Sequence, residues 1–220
     1  MLLQPNSRLL FIGDSITDCG RKRPIGEGAF DQALGNGYVS LIDAALAAVY
    51  PDFAIRIINM GVSGETVQDL KSRWTSDVLN LKPDWLSILI GINDVWQLIS
   101  QPWQTDIGAS IDEYAATLDD LVLQVRSNVH GQILMTPYFL EPNLQEPMRE
   151  MMDRYGGVVA QIAKNHNGIL VNTQKRFDSV LKSIDPMQLA MDRVHLNLAG
   201  HMILAREFLR NVGFSWDRSV

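Results

Sequence analysis

A chain of 220 residues, 46% hydrophobic and 20% charged, has the balance of an ordinary globular protein, and one domain spanning residues 1–220 is expected. Its net charge of −6 argues against a nucleic-acid partner, which calls for a basic face, and disfavours polyanionic substrates. A single cysteine, Cys19, excludes an internal disulfide and fits a reducing compartment.

No apolar stretch approaches the ~20 residues that span a bilayer. Residues 1–8 lack the basic and apolar regions of a secretory signal. A soluble, cytoplasmic protein without a membrane partner is therefore expected.

Residues 8–13 form a short apolar run that stops at Gly-Asp, the pattern of a buried first strand. Residues 38–50 carry apolar positions at helical spacing and stop at Pro51. The β-branched run 55–59 predicts a second strand, and residues 65–81 a helix with a break near Thr75. After Pro83, residues 84–90 predict a third strand ending at Gly91. In 111–128 the side chains of Tyr114, Leu118, Leu121 and Val125 share one helical face.

Strands follow at 132–136 and 168–172, with helices at 144–165, 174–184 and 198–211. Fully apolar strands alternating with amphipathic helices imply a parallel sheet covered on both faces. The predicted fold class is α/β, doubly wound, with a five-stranded parallel sheet. Two long loops stand out, the glycine-rich 19–37 and 137–147 with Tyr138 and Phe139.

Ligands of an open α/β sheet bind beyond the carboxyl ends of its strands. Asp14 and Ser15 follow the first predicted strand, Gly61-Val62-Ser63-Gly64 the second, and Gly91-Ile92-Asn93-Asp94 the third. All of them fall on one edge of the sheet. Near the C-terminus stands Asp192-Arg193-Val194-His195, an acid and an imidazole close enough to meet within one turn. A carboxylate at Nδ1 fixes the tautomer of such an imidazole and stabilises its protonated form.

These parts amount to a serine nucleophile (Ser15), a base (His195), an orienting acid (Asp192) and oxyanion donors. The donors are the backbone N–H groups of Ser15 and Gly64 and the side-chain amide of Asn93. Each has a plainer use: Ser15 as a helix cap, Gly64 as a turn glycine, Asn93 as the cap of a following helix. Asp14 and Asp94 are expected to cap or brace. Cys19, four residues past Ser15, is a rival nucleophile, though a lone thiol more often packs. His130, His166 and His201 read as structural or solvated. Trp96, Trp103, Tyr138 and Phe139 are candidate pocket aromatics.

Neither a metal nor a cofactor is expected. Asp14, Asp192 and His195 lack any recognised ligand spacing, and the glycine loop has no P-loop lysine.

The four segments Gly13-Asp14-Ser15-Ile16-Thr17, Gly61-Val62-Ser63-Gly64-Glu65-Thr66, Gly91-Ile92-Asn93-Asp94 and Asp192-Arg193-Val194-His195 resemble the blocks of the SGNH or GDSL hydrolases. That resemblance implies a flavodoxin-like three-layer α/β/α fold and a serine esterase. In it Asp192 orients His195, and Gly64 and Asn93 complete the oxyanion hole with Ser15. Segments 11–21, 84–96 and 192–208 are similar to the intracellular acetylxylan esterases of that superfamily.

Two positions depart from the pattern. Leu196 follows His195 where many members have proline. Met191 precedes Asp192 where the acetylxylan esterases carry tryptophan.

The expected partner is a small-molecule or oligosaccharide ester. Longer-chain lipase, lysophospholipase or thioesterase activity, acyl transfer to another alcohol, and a carbohydrate-binding protein with a dead site are the alternatives. Whether copies assemble into a homo-oligomer is left open.

Overall fold

Each predicted apolar run becomes a strand, because a strand buried on both faces must be apolar along its length. The computed structural model describes residues 1–28, 30–100 and 108–218. Its strands are β1 (Arg8–Gly13), β2 (Gly26–Glu27), β3 (Arg56–Asn59), β4 (Trp85–Leu89), β5 (Gly131–Met135) and β6 (Ile169–Val171). They form a six-stranded sheet in the order β2-β3-β1-β4-β5-β6.

Five strands are parallel, as expected. The sixth, β2, corrects the predicted strand count: it lies in the glycine-rich loop and pairs antiparallel with β3, Gly26 opposite Asn59. Two residues ending in Gly-Glu carry no periodic signal, so only the long-range pairing reveals this edge strand.

The helices are α1 (Ser15–Asp18), α2 (Tyr38–Val49), α3 (Val67–Ser72), α4 (Ile92–Ser100), α5 (Ile111–Val125), α6 (Pro147–Asn165), α7 (Thr173–Val180) and α8 (Leu198–Asn211). On one face α2 packs on α8 and α8 on α7; on the other, α5 packs on α3 and α6, and α6 on α4. The layers are therefore α/β/α. The break foreseen near Thr75 is real: α3 stops at Ser72 and a π turn occupies Thr75–Leu79.

Sequence sets these boundaries locally. Thr66 and Asp69 form a reciprocal capping box at the start of α3, as do Ser110 and Glu113 at α5. Asn197 caps α8 by accepting from the Gly200 N–H. Among the described residues no helix is long and apolar enough to cross a membrane.

Leu9, Leu10, Phe11 and Ile12 of β1 are fully buried, as are Leu86 of β4 and Ile133 and Leu134 of β5. Each such side chain stabilises the fold by about 1.5–3 kcal/mol. The sheet centre is thus the rigid platform from which the loops at its carboxyl edge project.

Register aligns that edge. Gly13 at the end of β1 lies opposite Leu89 of β4, and Leu89 opposite Met135 of β5. Phe11 of β1 pairs with Asn59, the last residue of β3. The chain runs outward from β1 to β3, then crosses back to β4, which puts the topological switch between β1 and β4. Gly13 is obligatory at this point, because a β-carbon there would sit 2.2 Å from the Leu89 carbonyl oxygen.

Candidate active site

Ser15 opens α1, immediately after the buried end of β1. Asp14 is the N-cap of that helix, and its Oδ1 accepts from the Ile16 N–H at 2.9 Å. Ser15 therefore does not cap the helix, and its hydroxyl is free to face outward. Ser15 Oγ lies 2.9 Å from His195 Nε2. On the far side of the ring, Nδ1 meets Asp192 Oδ2 at 2.5 Å. Asp192 Oδ1 accepts from the backbone N–H of Val194 at 3.0 Å and of His195 at 2.8 Å. Burial pushes the Asp192 carboxyl up, but hydrogen bonds from the His195 ring and these two N–H groups outweigh it and hold the group below the usual carboxylate range.

Ser15, Gly64, Asn93 and His195 line one cavity of about 440 Å³, with Ile16, Cys19, Ser63, Leu196 and His201. The structure brings the predicted residues together there, with Asp192 behind the imidazole. Gly64 has a φ of +87° and nothing within 4 Å of where a β-carbon would stand. Left-handed backbone favours glycine, and the open space lets a ligand approach this stretch of backbone closely. Asn93 does not serve the plainer use as a cap: it lies inside the first turn of α4, and its Nδ2 donates to the Glu65 carbonyl at 2.8 Å. The loop after β3 thus holds the Asn93 amide in place.

The loop carrying Asp192 and His195 is fastened from β5's side of the sheet. Tyr138 Oη donates to the Val194 carbonyl at 2.9 Å, and the Leu140 N–H to the Arg193 carbonyl at 3.0 Å. The Arg193 guanidinium pairs with Glu141, while Arg193 itself has a φ of +64°, an uncommon conformation for a residue with a side chain. Tyr138 and Phe139 are buried core residues, and neither they nor the half-exposed Trp96 lines the cavity. Trp103 lies outside the described residues. Of the pocket candidates, Tyr138 and Phe139 take the commoner packing role of aromatic residues, under the histidine loop.

Cys19 is not a competing nucleophile. Burial, assisted by the charges of Asp18 and Asp14, pushes its thiol up to about 12, so it stays protonated at neutral pH. His201 cannot act as its base. The Tyr38 N–H donates to His201 Nδ1 at 3.2 Å, so the ring's proton sits on Nε2, which lies 3.3 Å from Cys19 Sγ. Burial and the neighbouring His195 bring His201 down to about 4, keeping it neutral. His166 instead meets Asp119 at 2.8 Å, away from the cavity. Among the described residues no group of His, Cys, Asp or Glu is placed to hold a metal ion.

Two buried carboxyls flank the site. Burial pushes Asp14 up to about 7, against the Ile16 hydrogen bond, and the charges of Asp94 and Glu65 add to the rise. Asp94 accepts from the Val67 N–H through both oxygens at 3.2 Å, and burial raises it to about 7 as well. Folding therefore favours the protonated form of each. Their contribution to stability is fully present below the unfolded value of about 4 and is lost as pH rises through about 7. Asp14→Asn removes one of the two, so the drop in melting temperature from pH 5 to pH 8 is expected to be smaller in that variant. Thermal scans across that range check this, and an unchanged pH slope would refute it.

A hydroxyl resting on an imidazole whose far nitrogen meets a carboxylate, with N–H donors in the same cavity, is the equipment of a serine-type hydrolase. A model of the GDSL-like lipase/acylhydrolase family matches residues 11–203. An acetylxylan esterase from Geobacillus stearothermophilus is 56% identical over 219 residues, covering 100% of both chains. The crystal structure of Axe2, an acetylxylan esterase from the same organism, matches with a TM-score of 0.98 at 55% identity over 100% of each chain. LAE5, an alpha/beta hydrolase enzyme from the metagenome of Lake Arreo, Spain, matches with a TM-score of 0.95 at 46% identity over 97% of this chain and 98% of its own. The chain belongs to the GDSL-like lipase/acylhydrolase family, and its chemistry is carboxylic ester hydrolysis.

Proposed function

We propose that the chain deacetylates short acyl esters, acetylated xylo-oligosaccharides foremost, through an acyl-enzyme on Ser15. The observation that carries this reading is the relay from Ser15 Oγ to His195 Nε2 at 2.9 Å and from Nδ1 to Asp192 at 2.5 Å, beside Gly64 and Asn93.

In the first half-reaction Oγ attacks the acyl carbon while Nε2 takes its proton. The carbonyl oxygen becomes an anion, met by the N–H groups of Ser15 and Gly64 and by the Asn93 amide. Collapse breaks the bond to the sugar oxygen, which leaves with the proton from Nε2. Water then attacks the acyl-enzyme, gives its proton to Nε2, and releases acetate as the proton returns to Oγ.

Substrate class rests on two supports. A full-length relative that is 56% identical is an acetylxylan esterase. The His195 side chain is 60% exposed, so a bulky sugar can stand over the relay while only the acyl group enters. The single cysteine, which leaves no internal disulfide to form, fits a reducing, cytoplasmic setting.

The test is a panel of p-nitrophenyl esters from acetyl to octanoyl together with acetylated xylo-oligosaccharides, with Ser15→Ala as control. Turnover should be highest on acetyl, fall steeply beyond propionyl, and release acetate from the oligosaccharides. A profile that rises toward octanoyl, with no acetate from the sugars, would overturn the substrate assignment in favour of a longer-chain lipase or thioesterase.

A further inference from the structure

The three oxyanion donors come from three separate elements: Ser15 from the start of α1, Gly64 from the loop after β3, and Asn93 from α4. Nothing in the covalent chain holds them in register. The loop from Gly61 to Thr66 has neither helix nor strand, and open space stands where a Gly64 side chain would be. Such donors work only if their N–H groups already point to where charge develops.

Arg73, at the end of α3, reaches all three. Its Nη1 donates to the Met60 carbonyl at 2.6 Å, at the exit from β3. Nη2 donates to the Gly13 carbonyl at 3.2 Å, two residues before Ser15. Nε and Nη2 meet the Glu65 carboxylate at 2.6 and 2.5 Å, next to Gly64. The carbonyl of that same Glu65 is the acceptor that holds the Asn93 amide at 2.8 Å. Gly13 O also accepts from the Val62 N–H at 2.9 Å, tying the two loops directly at the same atom.

The Arg73 and Glu65 side chains are only 13% and 15% exposed, so water screens this pair weakly. Asp77 fills a further donor position on Nη1 at 2.8 Å and leaves the guanidinium little freedom to turn. From the opposite side, Asp18 Oδ2 accepts from the Ser63 N–H at 3.0 Å and hydroxyl at 2.9 Å.

We infer that Arg73 and Glu65 act as a clamp that sets the Ser15, Gly64 and Asn93 donors at one spacing, and are positioning residues for oxyanion stabilisation. The inference rests on the ester hydrolysis proposed at Ser15. A planar fork with donors on three nitrogens suits this task, whereas a lysine offers one point charge and cannot span the same acceptors. Neither side chain lines the cavity that holds Ser15, so the clamp is expected to act on the transition state and to leave ground-state binding alone.

The experiment measures kcat and KM on p-nitrophenyl acetate, melting temperature, and affinity for phenylboronic acid, whose serine adduct places an oxygen where the oxyanion forms. The variants are Arg73→Met, Arg73→Lys, Glu65→Gln and the Arg73→Met/Glu65→Gln pair. Removing an oxyanion donor outright costs about 10²–10³ in turnover, so misaligning the set is expected to lower kcat about 10- to 100-fold with KM within about threefold. Boronate affinity should fall in step with kcat/KM. The double variant should be little worse than either single one, because both break one linkage.

A merely structural pair would lower the melting temperature and leave kcat of the folded enzyme and boronate affinity alone. That result, in Arg73→Met or, where it does not fold, in Arg73→Lys and Glu65→Gln, overturns the clamp. If Ser15→Ala keeps parental turnover, the reading beneath it fails instead. If Ser15→Ala is dead while the Arg73 and Glu65 variants match the parent, only the clamp fails.

Discussion

Ser15→Ala is expected to fold like the parent and to lose about 10⁵- to 10⁶-fold in kcat, the scale at which serine hydrolases respond to loss of their nucleophile. The fold should survive because Asp14, not Ser15, caps α1, so alanine forfeits no cap. The hydroxyl makes one side-chain hydrogen bond, to His195, and that imidazole is exposed enough for water to replace it. The stability change should stay under about 1 kcal/mol.

Among the described residues no neighbour can stand in for the lost hydroxyl. Cys19 shares the cavity but remains a thiol, and its nearby imidazole carries a proton on the facing nitrogen. The Ser63 hydroxyl also lines the cavity, yet it donates to Asp18, an acid ion-paired with Arg23 and far weaker as a base than an imidazole. Residual turnover would then come from the oxyanion donors alone. Steady-state rates on p-nitrophenyl acetate, a melting curve and fluorophosphonate labelling together check this. A folded variant that stays within tenfold of the parent would remove Ser15 from the mechanism.

What the sequence discloses about this site follows from chemistry that is local along the chain. Residues 9–12 are apolar without interruption, so a strand buried on both faces is the only economical reading, and the polar residues after it must lie at its end. The same logic places Gly64 and Asn93. Asp192 and His195 sit three apart, a spacing that one turn closes. The supports of these residues are different in kind. Arg73 reaches Gly13 across 60 positions, Asp18 reaches Ser63 across 45, and Asp94 accepts from the Val67 N–H at the start of α3 from 27 positions away. Each uses a residue type common on any surface, and nothing periodic marks it. Tyr138 shows the converse limit: an aromatic in a long loop fits a pocket wall or a packing role alike, and only its complete burial and its bond to the Val194 carbonyl make it a prop for the histidine loop. The strand β2 escaped for the same reason as the clamp, since its identity lies in its partner Asn59.

Asp192→Asn is the second substitution with a large expected effect, and its direction follows from the two hydrogen-bonding ends of the carboxylate. Oδ1 accepts from two backbone N–H groups, those of Val194 and His195, while Oδ2 accepts from the imidazole. Asparagine has one acceptor and one donor end. If the amide nitrogen faced the two N–H groups, three donors would confront one another. The oxygen must therefore stay with the backbone, which turns the NH₂ toward His195 Nδ1. That nitrogen then has to accept, so the ring proton moves to Nε2 and points at Ser15 Oγ. In this tautomer His195 cannot take the serine proton.

The same exchange in a serine protease lowers kcat about 10⁴-fold. Here the pair is more open to water, with side chains 46% and 60% exposed, but the tautomer is dictated by which atoms donate, a constraint that solvent screening does not relax. A loss of about 10³- to 10⁴-fold in kcat is expected at pH 7. Asp192→Ala supplies the sharper comparison. Alanine offers no NH₂, so the exposed imidazole is free to populate both tautomers, and the alanine variant should be at least as active as the asparagine one despite its larger chemical change. Rates of the two variants on p-nitrophenyl acetate from pH 6 to 9 decide the matter. An asparagine variant above a tenth of parental turnover, or tenfold more active than alanine, would show that Asp192 does not set the tautomer of His195.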